Sequence, residues 1–284
     1  MNNIKFKVQS SKFKAQILKN KLTIVGGFLI IFLILTALFA PFIAPYDAKE
    51  QNLYEGLNPP DYQHPFGKDR LGRDILSRIV YGSRISLLVG IVVVSVSASI
   101  GIIIGSISGY IGGRIDEIIM RLCDIVLAFP GILLAIAIMS ILGPSLSNVI
   151  IALCAMGWVS YARLIRGQIL SLREREFVLA IEAIGGSSAR IIIKHLLPNV
   201  ASSVIVEATF GMAGAIVAEA GLSFLGLGVQ PPHPSWGSML NEGRLFLLIA
   251  PHLTIFPGFA IMVTVMGFNF VGDGIRDLTD VKRQ

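Results

Sequence analysis

The sequence contains few charged residues and very little cysteine. Only 15% of its 284 residues are charged, whereas 54% are hydrophobic and the mean hydropathy is +0.73. This composition excludes an ordinary soluble domain and indicates an integral membrane protein. The two cysteines, Cys123 and Cys154, lie within apolar segments. Cysteine in such surroundings behaves as a small buried hydrophobe, so this pair predicts neither a disulfide nor a metal site.

Several enzyme signatures are also missing. The Gly67-Lys68 pair is followed by Asp69 and lacks the upstream glycine of a phosphate-binding loop. Neither the His-Glu-x-x-His motif of zinc hydrolases nor the Gly-x-Ser-x-Gly nucleophile turn occurs. Three histidines of the outer segments match no metal-site spacing, and loop or packing roles are expected for His64, His233 and His252. We therefore expect no catalytic residue, no resident metal or cofactor, and an energy source outside this chain.

What the sequence does contain is a series of long uncharged runs. A hydrocarbon core of about 30 Å needs roughly 20 helical residues, because each residue rises about 1.5 Å. The turn signal GPS at 143–145 divides one run that is too long for a single span. Pro130 and Pro257 interrupt two runs, as hinges or as static curvature, of which we favour curvature. Six spans are therefore predicted, at 22–44, 85–111, 119–142, 146–164, 199–222 and 245–271.

The lysines and arginines are unevenly distributed about these spans. With both termini cytosolic, the cytosolic segments hold more than two thirds of the 24 basic residues, which is the positive-inside tendency. The basic N-terminus is interpreted as a topology and headgroup signal, not as a nucleic-acid site. The first run continues into FAPFIAPYDA without a cleavage-site pattern, so a retained anchor is expected. The predicted organisation is a cytosolic segment at 1–21, the first span at 22–44, an outer loop at 45–84, a transmembrane core at 85–273 and a cytosolic tail at 274–284.

The outer loop includes the stretch DRLGRDILSRIV, in which four apolar residues share one helical face. An amphipathic helix at the membrane interface is the structure that this pattern predicts. It would either help to seat an extracytoplasmic protein or pack against the spans. The four residues are Leu71, Ile75, Leu76 and Ile79.

A cytosolic stretch between the fourth and fifth spans has a different pattern. Its apolar residues recur at helical spacing, the pair Gly185-Gly186 predicts a turn, Ser188 a new helix start, and Pro198 the end of that second helix. The second helix carries an isoleucine ridge flanked by positive charge, which suits a groove on a cytosolic protein. An amphipathic pair lying on the membrane surface is the alternative. The ridge and its flanks are Ile191, Ile192, Ile193, Arg190, Lys194 and His195.

This stretch resembles the cytosolic loop of ABC importer permeases, whose pattern is E-A-A-x-x-x-G-x9-I-x-L-P. Counting back from Pro198 aligns the family glycine with Gly185. Leu179 then replaces the acidic residue of the pattern, and His195 replaces its isoleucine. The resemblance implies an ATPase-coupling loop at 166–198, hereafter the coupling loop. Its expected site residues are Leu179, Ala180, Ile181, Gly185, Gly186, Arg190, Ile192, His195, Leu197 and Pro198.

The resemblance extends over most of the chain and points to the dipeptide, oligopeptide and nickel branch. It is carried by HPFGKDRLGRDILSRIVYGSRISL, GGRIDEIIMRLCDIVLAFP, AEAGLSFLGLGVQPPHPSWGSML and FPGFAIMVTVMGFNFVGDGIRDL. The branch implies an all-α type I importer fold with six spans, as the second, C-type permease of a pair, in the cytoplasmic membrane of a prokaryote. The implied partners are a second homologous permease, two ATP-binding subunits that hold ATP and Mg²⁺, and an extracytoplasmic binding protein.

That resemblance makes peptide import by alternating access the first expectation for function. Nickel or a nickel chelate is the alternative cargo, and a passive channel subunit is the alternative of a different class. The coupling loop argues against a channel, because a channel has no use for an ATPase dock. Under the favoured interpretation, Ile192→Glu would uncouple transport without disturbing the six spans.

Four ionisable residues lie within or at the edge of the spans, where charge is costly and usually faces a partner or water. Arg121 and Asp124 are three residues apart, so a pair within one helix turn is predicted. Glu207 and Glu219 lie deeper in the fifth span. A place on the substrate pathway is a hypothesis for both of them.

Overall fold

The computed structural model describes residues 21–280, with side chains to residue 278. Most of the predicted cytosolic segment 1–21 and the end of the predicted tail therefore lie outside the described residues. The described part is built from helices, with no named strand within it. The helices are α1 (Lys21–Leu38), α2 (Ala40–Ile43), α3 (Ile75–Ile111), α4 (Gly113–Leu127), α5 (Gly131–Leu142), α6 (Leu146–Arg173), α7 (Glu176–Ala183), α8 (Ser188–Ile191), α9 (Leu197–Phe224), α10 (Trp236–Gly243) and α11 (His252–Asp280).

Within residues 21–280, five helices are long and apolar enough to cross a membrane, and a bent pair brings the number to six. That pair is α4 and α5, which meet at an angle of 85°. The predicted third span is therefore present only as this bent pair, and the expected static curvature of one helix at Pro130 is wrong. Proline has no backbone N–H and its ring clashes with the preceding turn, so α4 ends before Pro130 and α5 begins after it. Pro257, by contrast, lies inside the continuous α11.

The helix of the second span begins ten residues before the predicted span. Asp74 caps α3 by accepting a hydrogen bond from the Ser77 backbone N–H at 2.7 Å. Ile75 is only 1% exposed, since it packs in a core cluster with Trp236. The predicted interfacial helix is the first part of α3, and its apolar face packs against the spans, which was one of the two predicted alternatives. The 37 residues of α3 extend about 55 Å at 1.5 Å per residue, well beyond a hydrocarbon core.

Small residues let α3 and α6 approach closely. Gly101, Gly105 and Gly109 recur every fourth residue and face α6. A Cβ at Gly105 would lie 2.5 Å from the Ala162 carbonyl oxygen. The two backbones are thus in contact along this stripe, a packing mode typical of membrane helices.

The second half of the coupling loop runs directly into the fifth span. Helix α8 passes through a π-helical turn at Ile192–Leu196 into α9, and the whole forms one helix of 37 residues. The predicted stop at Pro198 is therefore wrong. Pro198 occupies the first turn of α9, where proline is tolerated, and the wider π turn precedes it. The N-cap position of α8 is Ser187, one residue before the predicted Ser188.

Other predicted boundaries also shift because helices continue past the charged residues. Helix α6 extends to Arg173, inside the coupling loop, and α11 extends to Asp280, inside the predicted tail. The sixth span begins at His252, since the chain from Arg244 to Phe246 forms a short 3₁₀ turn instead. The first charged residue after an apolar run therefore marks the end of the apolar run and not the end of the helix.

Candidate functional site

Helix α7 of the coupling loop ends in a glycine turn of the Schellman type. The Gly186 N–H donates to the Ile181 carbonyl, and the Gly185 N–H donates to the Glu182 carbonyl, each at 2.9 Å. Gly185 has φ +81°, a left-handed conformation that glycine adopts without strain. A Cβ at Gly186 would lie 2.6 Å from the Ile181 side chain. Both glycines are therefore needed for the turn, as the sequence predicts.

One side of the coupling loop is buried against the spans. Val178, Ile191 and Leu196 are fully buried in a cluster with Ile165 and Ile169 of α6. A polar contact adds to this anchor, because the Tyr110 hydroxyl at the end of α3 donates to Glu182 at 2.8 Å. The loop is thus attached to α3, α6 and α9 together.

The other side of the coupling loop exposes large apolar side chains. Ile184 is 85% exposed and Ile193 is 64% exposed, and both Arg190 and Lys194 are exposed nearby in the sequence. The predicted ridge of three isoleucines is divided, because successive helical residues point in different directions. Ile191 is buried and Ile192 is half-buried against the core, so only Ile193 is fully available.

The predicted site residues occupy both sides of this small helical unit. Those exposed to the exterior are Leu179, Ala180, Gly185, Arg190 and Pro198. Those half-buried are Ile181, Gly186, Ile192, His195 and Leu197. The two most exposed apolar residues of the loop are Ile193, which belongs to the predicted ridge, and Ile184, which sequence reasoning did not place in the site. The signal for Ile184 was an apolar residue directly before the glycine turn.

Ion pairs hold the ends of α4 and α6 together on the same side. Asp116 accepts from Arg166 at 2.7 Å. The predicted Arg121–Asp124 pair is wrong, because Arg121 donates to Glu117 at 2.5 Å, one helix turn earlier. Asp124 instead lies 3.6 Å from a guanidinium nitrogen of Arg163 on α6.

A cavity of about 240 Å³ lies between α3, α6 and α9. Its lining is mostly apolar and small, but the half-buried Glu207 borders it. Among the residues that the structure describes, Glu207 has no ion-pair partner. The full lining is Val93, Val94, Ser97, Leu153, Met156, Gly157, Ser160, Tyr161, Glu207, Gly211, Gly214, Ala215 and Ala218.

Glu219 is placed differently from Glu207. It is fully buried three helix turns further along α9, and it does not line the cavity. Its carboxylate accepts a hydrogen bond from the Ser223 hydroxyl at 2.6 Å. Ser223 in turn accepts from the Val229 N–H at 3.2 Å. Glu219 therefore ties the end of α9 to the chain that follows it.

The outer segment contains a buried network of charges. Asp69 accepts from Arg73 at 2.6 Å and from Arg78 at 2.8 Å. Arg73 also donates to Glu242 of α10 at 2.5 Å. Both arginines are almost fully buried, so the network joins the outer loop to α3 and α10 inside the protein.

Other contacts in the outer segment account for two of the three histidines. His64 Nδ1 lies 2.9 Å from Asp74, the residue that caps α3. His252 Nε2 lies 3.4 Å from the Lys68 carbonyl oxygen. The buried Lys68 ammonium donates to the exposed Glu55 carboxylate and thereby lowers the pKa of that carboxyl. These are loop and packing contacts of the kind that the sequence predicts.

Comparison with known proteins decides the family. Residues 101–283 match the family described as the binding-protein-dependent transport system inner membrane component, and residues 12–60 match the N-terminal TM domain of oligopeptide transport permease C. The chain belongs to the ABC importer permeases. This confirms the resemblance to the oligopeptide branch. It also confirms the predicted all-helical permease. Membership of an ABC transporter family implies an ATPase and a substrate-binding protein as partners.

Relatives of the permease carry peptide transporter names. The glutathione transport system permease protein GsiD of Escherichia coli O157:H7 is 47% identical over 265 residues, covering 93% of this chain and 88% of that protein. The dipeptide transport system permease protein DppC of Alkalihalophilus pseudofirmus is 49% identical over 267 residues, covering 94% and 88%.

The fold of the permease matches a solved importer. The inward-facing MetNI methionine ABC transporter matches with a TM-score of 0.60 at 18% identity, covering 73% of this chain and 97% of the matched chain. At this identity, the match bears on the fold and not on the cargo. It confirms the predicted importer-permease fold class.

Proposed function

We propose that the permease moves di- or oligopeptides across the cytoplasmic membrane by ATP-driven alternating access. The support for this cargo is that the relatives covering nearly the whole chain are named as glutathione and dipeptide permeases, and glutathione is itself a small peptide. The proposed complex contains a second homologous permease, two ATP-binding subunits that hold ATP and Mg²⁺, and an extracytoplasmic binding protein. Both termini and the coupling loop face the cytosol.

The exposed apolar side of the coupling loop is the main support for coupling of this chain to an ATPase. Ile184 and Ile193 project from a helical unit whose opposite side is fully buried. Arg190 and Lys194 add positive charge at the edge. A short amphipathic helix of this kind fits an apolar groove on a partner protein. A passive channel has no need for such a surface.

The same helices connect the coupling loop with the cavity. Helix α6 contributes Gly157 and Tyr161 to the cavity lining, and α9 contributes Glu207 and Gly211. Both helices also hold the buried side of the coupling loop through Ile169 and Val200. Movement of a docked ATPase therefore displaces the cavity walls as a rigid unit. ATP binding shifts the population of outward and inward states when it stabilises one state more than the other.

The cargo is tested by uptake in cells that contain the complete transport system and in cells that lack only this chain. Labelled dipeptides, longer peptides and nickel are supplied separately. We expect peptide uptake alone to be lost. Loss of nickel uptake alone would overturn the cargo, and loss of neither would contradict an importer role.

The coupling is tested with Ile193→Glu, which places a charge on the exposed apolar surface. This position is a sharper test than Ile192→Glu, because Ile192 also packs against the core. We expect lost peptide uptake and lost co-purification of the ATPase subunits, at unchanged amounts of permease in the membrane. Ile193→Leu keeps the apolar surface and serves as the matched control. Normal uptake by Ile193→Glu would contradict the proposal.

A further inference from the structure

The cavity between α3, α6 and α9 contains buried hydroxyl groups without hydrogen-bond partners. Ser97 is 1% exposed and Tyr161 is 4% exposed, and both line the cavity. Within the part of the chain that the structure describes, neither hydroxyl oxygen has a partner. Nearly all buried polar groups in proteins are hydrogen-bonded, so two unpaired hydroxyls at one cavity need an explanation. Both oxygens are shielded from the cavity in this conformation, so a polar ligand would supply the missing bonds once the surrounding helices move apart.

Glycines keep space for both hydroxyl groups. A Cβ at Gly157 would lie 2.5 Å from the Ser97 hydroxyl oxygen. A Cβ at Gly211 would lie 2.6 Å from the Tyr161 hydroxyl oxygen. Any larger residue at either position would displace the hydroxyl that faces it. Each hydroxyl therefore lies against a glycine of the facing helix.

Glu207 adds a carboxylate to the same cavity. It precedes Gly211 by one turn of α9, and it has no ion-pair partner among the described residues. Ionisable groups inside a membrane span are costly and typically serve a ligand or an ion pathway. Glu219 differs in position, because one of its oxygens accepts from Ser223 and its carboxylate lies away from the cavity, where the other oxygen has no partner among the described residues. Of the two glutamates of α9, Glu207 is the one that lines a cavity.

The chemistry of these groups selects a ligand with a cationic donor. A carboxylate accepts hydrogen bonds and attracts an ammonium group, which has three hydrogens to donate. The same carboxylate repels the C-terminal carboxylate of a peptide. The rest of the lining is mostly apolar and includes Val93, Leu153 and Met156. These residues offer no hydrogen bonds that would select particular peptide side chains. The cavity therefore suits the amino end of a peptide irrespective of its side chains.

We propose that this cavity binds the α-ammonium group of the transported peptide, with Glu207 as the counter-ion and with Ser97 and Tyr161 as hydrogen-bonding groups. The inference rests on the proposed peptide import and names the part of the peptide that the permease itself recognises. Recognition through the shared amino group is compatible with transport of peptides of different sequence. It assigns a direct role to Glu207 and none to Glu219.

The test uses the complete transporter reconstituted in liposomes with its binding protein. Uptake of a free-amine dipeptide is compared with that of its N-acetylated form, each at a concentration that saturates the binding protein. We expect Glu207→Gln to lower free-amine uptake about tenfold, the effect of losing one charge-assisted bond of roughly 1.4 kcal/mol. Uptake of the acetylated form should not fall by this factor, because that form has no ammonium group for Glu207 to bind.

Two further variants separate binding from folding. Ser97→Ala and Tyr161→Phe each remove one hydroxyl, and a smaller loss of about threefold is expected, again only for the free-amine peptide. Glu117→Gln, on the exposed face of α4, is the matched control and should not change uptake. Rescue of uptake by Glu207→Asp would support the counter-ion role.

Three results would overturn the inference. Full free-amine uptake by Glu207→Gln would remove the counter-ion and leave peptide import intact. An equal loss for both forms of the peptide would indicate a structural role. A reduced yield of assembled complex would indicate that Glu207 contacts the second permease. If the unmodified transporter moves no peptide, the proposed function fails first.

Discussion

The outer segment and the coupling loop differ in where their interaction partners lie: inside the protein for the first, and outside it for part of the second. In the outer segment, Asp69, Arg73, Arg78 and Glu242 are paired with each other inside the protein. In the coupling loop, Ile184 remains almost fully exposed at the surface. A segment whose buried charges are paired internally can hold a fixed shape. A segment that leaves apolar surface exposed is prepared for a partner, and this difference separates a static element from a docking element.

The largest effect is expected when the outer network is broken. Asp69→Ala leaves two buried arginines without their shared carboxylate, which costs about 3–5 kcal/mol. Thermal unfolding of the purified transporter measures the loss. The outer segment would also become accessible to protease. A change below about 1 kcal/mol would show that the network does not hold this segment.

The buried side of the coupling loop should give the next largest effect. Ile191→Ala removes a fully buried side chain between α6 and α9, at a cost of about 2–5 kcal/mol. Ile193→Ala, at the exposed neighbouring position, should change stability by less than about 0.5 kcal/mol. Unfolding of both variants is compared at equal protein concentration. Equal losses would contradict the division of this helix into a buried side and a docking side.

A moderate effect is expected at the glycine turn. Gly185→Ala places a side chain at φ +81°, at a cost of roughly 1–2 kcal/mol. Gly167→Ala is the matched control, since Gly167 lies within α6 with open space around it and alanine favours a helix. Hydrogen exchange of residues 176–191 should increase in the first variant only. Unchanged exchange would show that the turn does not require glycine.

The smallest effect is expected at an exposed ion pair. Arg121 and Glu117 pair on the surface of α4, and their side chains are largely exposed. Arg121→Ala should therefore change the free energy of unfolding by about 0.3–0.5 kcal/mol, less as salt is raised. The same unfolding measurement applies. A loss as large as that of Asp69→Ala would remove the distinction between buried and exposed charges.

The coupling loop shows which structural features can be predicted from local sequence pattern and which cannot. The helix, the turn at Gly185-Gly186 and the start of a second helix were predictable, because helical spacing and glycine conformation are local properties. The sides of the second helix were not, because the side that is buried depends on where α6 and α9 lie. Pro130 and Pro198 make the same point. One ends a helix and the other lies in the first turn of a longer one, although the residue is the same.

The sequence by itself determined that this protein is a helical membrane permease, because long uncharged runs, basic flanks and a family loop pattern are all read along the chain. Only the tertiary structure decided that Ile75 belongs to the core, that α4 and α5 meet at 85°, and that Glu207 shares a cavity with Ser97 and Tyr161. These three cavity residues come from three helices far apart in sequence. Their proximity depends on the approach of those helices, which is set by packing between glycine-rich faces and not by any local pattern.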